Sequence, residues 1–273
     1  MDVLQEFRSD DLYMRYAVDE APDDKNYFMH VHEQCEIFYF VSGHAEYLVE
    51  GTKYPLKSGS ILIMRPSESH RAKILDARKY ERYAVNFSVS VTDHIDPQHR
   101  FMKAFFDRPL GRGNLYLPSE FNNENIRKIF DEMRGGTDDY ERQLKILSHL
   151  FLLLNMIDNA FTKRGSADYA PPQSIAEEIV SYVNTHLFEE LSVSMLADYF
   201  FLSTSQFGRI FKQATGAAPW EYITIKRLTM AREKIRSGIS AQNAGEICGF
   251  GDYSAFYRSY VKYFGHSPQK DIL

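Results

Sequence analysis

Residues 191–212 read LSVSMLADYFFLSTSQFGRIFK. Ser192 is placed to cap a short helix over Val193–Tyr199, because its hydroxyl can accept from an amide of the first turn that has no partner within the helix. Met195, Leu196 and Tyr199 fall on one face, and Ala197 is small, as close crossing of a second helix requires. Phe200-Phe201-Leu202 then forms a turn, and Ser203 caps a second helix over Thr204–Ala214. That helix turns Phe207, Ile210 and Phe211 inward and Ser205, Gln206, Arg209 and Lys212 outward. Two short helices, a tight turn between them and a polar, basic free face on the second match a helix-turn-helix unit. Many helical pairs share this pattern, so a second signal is needed.

The next stretch supplies it. Asn243–Cys248 reads as a short helix, Gly249-Phe250-Gly251 as a turn and Asp252 as a cap. Tyr253–Phe264 follows, with Phe256, Tyr260 and Phe264 inward and Tyr253, Ser254, Tyr257 and Arg258 outward. Between the units, Pro219–Ile235 is a long helix offering Trp220, Ile223, Leu228 and Ala231 for packing. A stiff helix in that place can set two recognition helices into successive major grooves, ~34 Å apart.

Leu191-Ser192, Leu196-Ala197, Ser203, Arg209-Ile-Phe-Lys212, Gly216, Pro219, Tyr222, Arg227-Leu228 and Ala231 occur in the order found in AraC/XylS regulators. So do Gly249-Phe250, Asp252, Ser254, Phe256, Arg258, Lys262, Gly265 and Ser267-Pro268, and residues 191–268 therefore resemble the DNA-binding domain of that family. The resemblance implies that Ser205, Gln206 and Arg209 in the first unit, and Tyr253, Ser254, Tyr257 and Arg258 in the second, face promoter DNA. Arg209 and Arg258 lead that set, since a guanidinium reads guanine bidentately or clamps phosphate. Two positions depart from the family pattern. Gly208 stands where many relatives carry a side chain that touches bases. Ala244-Gly245 replaces the usual Ile-Ala, and glycine inside a helix costs about 1 kcal/mol relative to alanine, so that supporting helix is expected to be short or loosened.

Working toward the N-terminus, residues 164–174 are polar, carry a Pro pair and end in a possible cap, which makes them the expected linker. Before them, a helix over Asp139–Lys163 carries two apolar stripes. One holds Leu144, Leu147, Phe151, Leu154 and Phe161; the other holds Ile146, Leu150, Leu153 and Ile157. A surface helix needs one stripe, so the second implies either burial on two sides or a homodimer contact. A shorter helix, Asn122–Met133, places Ile126, Ile129, Phe130 and Met133 on one face.

From about Leu12 to Leu117 the pattern is short strands: Glu36–Val41, Ala45–Val49, Tyr54–Leu56, Ile61–Met64 and Tyr80–Val89, separated by Gly, Pro and Ser turns. The expected fold is therefore α+β and multidomain. It comprises a β-barrel over residues 1–118, a helix pair over 119–163, the linker over 164–174 and an all-α domain over 175–273 with two helix-turn-helix units.

His30-Val-His32-Glu-Gln-Cys-Glu36, followed by Gly43, resembles the first signature of the cupin barrel. Gly59, Pro66 and His70 resemble the second, although Pro66 and His70 are one residue too close. His30, His32 and Glu36 share strand parity, so their side chains can converge inside the barrel with His70. Three imidazoles and a carboxylate suit a first-row divalent metal. They can equally line a polar ligand pocket or serve the barrel's structure. Arg82 has the parity to reach a ligand hydroxyl or carboxylate, or else faces solvent.

The 273 residues are 44% hydrophobic and 25% charged, ordinary for two globular domains. The net charge of -5 neither supports nor opposes DNA binding, because a near-neutral domain can still present one positive face. Two lone thiols, Cys35 and Cys248, make no disulfide framework and suit a cytoplasmic protein. The start lacks the basic and apolar segments of a secretory signal, and a membrane association is not expected. No serine-histidine-acid arrangement or phosphate loop appears, so no catalytic residue is assigned. The expected function is a DNA-binding transcription regulator, an activator controlled by a small molecule such as a sugar in the barrel, which would meet RNA polymerase at the promoter. The alternatives are a cupin metalloenzyme with an accessory helical tail, or a constitutive DNA-binding protein with a structural barrel.

Overall fold

The structure, a computed structural model, describes residues 2–121, 125–165, 172 and 174–272. Among the described residues, nine strands build the N-terminal part: β1 (Asp2–Arg8), β2 (Leu12–Asp19), β3 (Cys35–Ser42), β4 (Ala45–Val49), β5 (Thr52–Pro55), β6 (Ile61–Met64), β7 (His70–Ile74), β8 (Tyr80–Phe87) and β9 (Leu115–Tyr116). They form a six-stranded sheet in the order β1-β2-β8-β3-β6-β9 and a three-stranded sheet in the order β5-β4-β7. The cupin-like arrangement thus takes the form of two facing sheets, each with its own hydrogen-bond ladder.

The large sheet is covered on both faces, and this explains why its central strands are almost continuously apolar. On β3, Ile37, Tyr39 and Val41 point to one side, where they pack with Ile61, Ile63, Val85 and Phe87 under a helical layer. Phe38 and Phe40 point to the other side and meet Tyr47, Val49, Ala72 and Ile74 of the small sheet. The helical layer is α1 (Lys103–Phe106), α2 (Ile126–Met133) and α3 (Asp139–Arg164), with Asn125 and Asp138 capping the latter two. Residues 122–124, where the sequence places the start of α2, lie outside the described residues. The same holds for most of the expected linker.

The two stripes of α3 separate physically, with one exception. Ile146, Leu150, Leu153 and Ile157 are fully buried in the core of the β domain. Leu154, assigned by spacing to the other stripe, is fully buried with them. Leu147, Phe151 and Phe161 are half-buried, whereas Leu144 and Leu152 are exposed. By length and mean hydropathy (1.3) α3 is apolar enough to cross a membrane, but those core contacts account for its apolar residues.

The C-terminal part is helical: α4 (Ile175–Thr185), α5 (Val193–Tyr199), α6 (Thr204–Thr215), α7 (Pro219–Arg236), α8 (Ala241–Ile247) and α9 (Tyr253–Phe264). Ser192, Ser203 and Asp252 cap their helices through side-chain acceptors, as their positions predict. The turn after α5 sets the exposed Phe201 at φ 55°, and the turn after α8 uses Gly249 at φ 83°, where glycine carries no Cβ penalty. Helix α8 is as long as α5, so Gly245 does not shorten it. A Cβ there would stand 2.9 Å from the Phe256 ring, so the glycine permits α9 to pack closely instead of loosening its support.

The two parts meet across a buried interface centred on Glu50, at the tip of the β4–β5 turn. Its carboxylate accepts from Lys226 Nζ (2.7 Å), Asn184 Nδ2 (2.8 Å), the Ser69 amide (2.6 Å) and the Tyr222 hydroxyl. Lys226 and Glu50 are nearly inaccessible to solvent. Beside them, Gly51 lies against Val180, and Arg112 pairs with Glu177 at 2.6 Å.

Candidate effector site and DNA-facing helices

Between the sheets, at the end that faces the helical domain, lies a cavity of about 1060 Å³. The register of β3 and β8 places Glu36 opposite Asn86, Phe38 opposite Ala84 and Phe40 opposite Arg82. Glu36, Phe38, Arg82, Ala84 and Asn86 accordingly project from the large sheet toward this space, and Tyr47 and Ala72 come from the small one. Its outer wall belongs to the other domain: Thr229, Arg232, Glu233 and Arg236 of α7, with Tyr263 and Phe264 of α9.

His30, His32, Glu36 and His70 come together at this cavity, each offering one ligand atom within 4.8 Å of the others. Only Glu36 and His70 sit on strands. His30 forms an isolated bridge to His70, their backbones exchanging hydrogen bonds of 3.0 and 3.1 Å, and His32 lies in irregular chain ahead of the bend that precedes β3. His32 Nε2 is 2.8 Å and His70 Nε2 3.2 Å from Glu36 Oε2. Burial alone would raise the Glu36 carboxyl, but His70 and His32 outweigh it and hold the group well below the usual carboxylate range. Burial pulls His70 down, and the Glu36 charge more than offsets this, so its net movement is upward. His30 opens onto the cavity, yet protein crowds it closely; that crowding, aided by His70, pushes it well below the usual histidine range. The donor set of three imidazoles and one carboxylate fits a first-row divalent ion.

Arg82 reaches the same cavity, its guanidinium 4.7 Å from the Tyr80 ring and 5.4 Å from that of Tyr27. Asn86 and the α7 residues carry no signal in one sequence: the first depends on strand register, the others on how two domains dock. Asn86 donates from Nδ2 to Glu36 and His32, both at 3.1 Å.

On the helical domain, Ser205, Gln206 and Arg209 of α6 are exposed, as are Tyr253, Ser254, Tyr257 and Arg258 of α9. Gln206 has a second task. Its Oε1 accepts from the Ser203 amide at 3.0 Å and closes the capping box of α6. The Tyr253 hydroxyl accepts from Gln269 at 3.2 Å. Gly208 has open space around the position a Cβ would take.

The basic residues of α7 do not form a DNA-facing stripe. Lys226 is held by Glu50. Arg227 donates to the carbonyls of Leu187, Glu189 and Gly249 at 2.7–2.8 Å and so ties the two helix-turn-helix units together. Arg232 and Arg236 pair with Asp271 and Glu33.

A β domain with a polar cavity, joined to two helix-turn-helix units, defines a ligand-binding transcription regulator. Residues 13–154 match the AraC-like ligand binding domain, and residues 196–271 match a helix-turn-helix domain. The chain belongs to the AraC family of transcription regulators. It is 32% identical over 248 residues to the HTH-type transcriptional activator RhaS of Salmonella heidelberg, covering 88% of this chain and 85% of that one. It is also 32% identical over 93 residues to the "Probable transcriptional regulator LumQ" of Photobacterium leiognathi, a match to 34% of this chain and 38% of LumQ. Among solved structures, fatty-acid-bound ToxT of Vibrio cholerae is similar over 97% of this chain and 95% of its own, at 12% identity and a TM-score of 0.39. The DNA-binding domain of AdpA in complex with a target DNA is 27% identical over 35% of this chain and 86% of its own, with a TM-score of 0.33.

Proposed function

We propose that this regulator is a cytoplasmic homodimer that activates transcription when a small effector enters the cavity beside His30, His32, Glu36, His70 and Arg82. One observation carries the reading: the cavity's outer wall is made by α7 and α9 of the DNA-binding domain. An effector there touches both domains at once. It can therefore differ in affinity between two domain arrangements, the condition for shifting their populations. Activation is supported by the activator relatives, and an activator at a promoter acts on RNA polymerase.

Ser205, Gln206, Arg209, Tyr253, Ser254, Tyr257 and Arg258 would contact the operator, with the capping role of Gln206 limiting its reach. A footprint on DNA upstream of the target genes tests this reading. Protection of two groove segments about one helical turn apart is expected for each protomer. Equal, unspaced protection of unrelated DNA contradicts it.

The homodimer would use the outer face of α3, where Leu144 and Leu152 are exposed and Leu147 and Phe151 are half-buried. Leu144→Glu combined with Leu152→Glu is expected to halve the mass seen by sedimentation while leaving the protein folded. An unchanged mass removes this face from the interface. Leu150 and Leu154 are unsuitable for the purpose, since both lie in the domain's own core.

A further inference from the structure

Among the described residues, two glycines lie inside helices, Gly208 in α6 and Gly245 in α8. Packing explains Gly245, since a Cβ there would meet the Phe256 ring at 2.9 Å. Gly208 has no such reason. Its φ is not positive, so its backbone conformation does not demand glycine. Beyond its chain neighbours and the helix's own backbone, nothing lies within 4 Å of the place a Cβ would take. Nor does the helix end or break there. Helix α6 runs unbroken from Thr204 to Thr215, the Ser203–Gln206 capping box closes its first turn, and Phe207 and Phe211 are fully buried. Apart from proline, glycine is the poorest helix former, so position 208 carries a cost that nothing inside the protein offsets.

Gly208 lies on the face of α6 that points away from the core, beside the exposed Arg209 and one turn from the exposed Ser205 and Lys212. It is the fifth residue of the helix, within the N-terminal portion that meets base edges when a recognition helix enters the major groove. Inside a helix the amide and carbonyl groups bond to one another and have nothing to offer a base. Gly208 therefore presents a Cα hydrogen where every other residue has a carbon. The result is a shallow apolar notch beside the longer side chains of Arg209 and Lys212, as deep as the methyl group a Cβ would supply. Among the groups by which the major groove distinguishes the bases, the apolar one is the C5-methyl of thymine.

We propose that Gly208 determines specificity: its notch seats the C5-methyl of one thymine in the operator, so the first helix-turn-helix unit selects that base by shape. This rests on the reading of α6 as a DNA-facing helix. Arg209 supplies the charge for guanine or phosphate, and the glycine supplies the close approach. A Cβ at position 208 and the methyl on the base claim the same space. Removing either one leaves room for the other.

The test is a cycle between protein and DNA, measured by fluorescence anisotropy with the full chain and the footprinted operator. Each thymine in the protected segments is replaced in turn by deoxyuridine, which removes only the methyl. One replacement should weaken wild-type binding by about fourfold, the contribution of one buried methyl. Gly208→Ala should melt about 2–4 °C higher than the wild type, because alanine is the better helix former. The same variant should nevertheless bind the thymine operator about tenfold or more weakly, since its new methyl has no room. On the operator with that uracil, it should recover to within about threefold of the wild type. Weakening that is equal on thymine and uracil, or that extends equally to unrelated DNA, overturns the proposal. So does a variant that binds the operator as the wild type does. Arg209→Ala distinguishes the two failures. If it loses operator binding while Gly208→Ala depends on no methyl, α6 faces DNA without the notch. If neither variant changes binding, the placement of α6 itself falls, and the notch with it.

Discussion

Replacing Lys226 by methionine is expected to destabilise the docked protein by about 3–5 kcal/mol, because the change strands the Glu50 carboxylate in a site closed to water. Tyr222, Asn184 and the Ser69 amide would remain as donors, but none supplies a charge. A fall in Tm on the order of 10 °C follows for a chain of this size, and calorimetry measures it. The pairing spans the two domains, so the same variant should expose the 184–226 face to proteolysis before the β domain unfolds. Glu50→Gln combined with Lys226→Met removes both charges and should restore most of the loss, since a buried ion pair is worth little against a neutral pair of similar shape. If the single variant melts with the wild type, Glu50 is not the anchor of this interface.

Arg108→Met is expected to cost about as much, also about 3–5 kcal/mol, through a different part of the molecule. Arg108 and Glu68 are both fully buried and joined by two contacts, of 2.6 and 2.8 Å. Glu68 further accepts from the amides of Arg65 and Gly111 and from Asn114 Nδ2, which pins the loop after α1 to the start of β7. Burial would raise its carboxyl, but Arg108 and these donors outweigh it and bring the group down to about 2. The sign for pH follows from a folded value below the unfolded one. The pair's stabilisation is complete above the ordinary carboxylate range, near 4.5, and is lost as pH falls from there through about 2. Acid titration of the wild type, followed by circular dichroism, should show that loss between these limits. In Arg108→Met the carboxylate has lost its cation, so destabilisation at neutral pH and a flatter acid response are expected. A variant with wild-type stability at pH 7 contradicts the assignment.

The parts of this fold legible in the sequence are those set by local chemistry. Ser192, Ser203 and Asp252 announce helix starts because a capping oxygen acts within three residues. Strands β4 and β6 stand where alternation or a short apolar run marks them. Strand β1 escapes notice because it is an edge strand with Val3 and Leu4 exposed, and β9 is two residues long. Gly245 is misread by helix propensity alone, since the cost of glycine is outweighed by the Phe256 ring that fills its place.

The site divides in the same way. Three histidines and a glutamate, three of them within seven residues, are visible as a cluster, but strand parity is not what gathers them: Glu36 and His70 sit on strands, His30 is placed by its bridge to His70, and His32 lies off any strand. Glu50-Gly51-Thr52-Lys53 reads as a turn like any other, and nothing in the sequence links Glu50 to the basic residues Lys226, Arg232 and Arg236 of α7. Glu50 meets Lys226 across the domain interface from 176 residues away, Arg232 and Arg236 reach Glu33 across it as well as Asp271 on their own side, and Arg227 stays within the helical part. Contacts between separately folded parts leave no periodicity, and no single sequence displays them.

The proposed reading of DNA by α6 and α9 is tested most directly by fluorescence anisotropy on the footprinted operator. Arg209→Ala and Arg258→Ala, both exposed and remote from the core, should fold as the wild type does. Each is expected to weaken operator binding by about 1–3 kcal/mol at fixed salt, with little change on unrelated DNA if the lost contact reads a base. Operator affinities equal to that of the wild type in both variants would contradict the account.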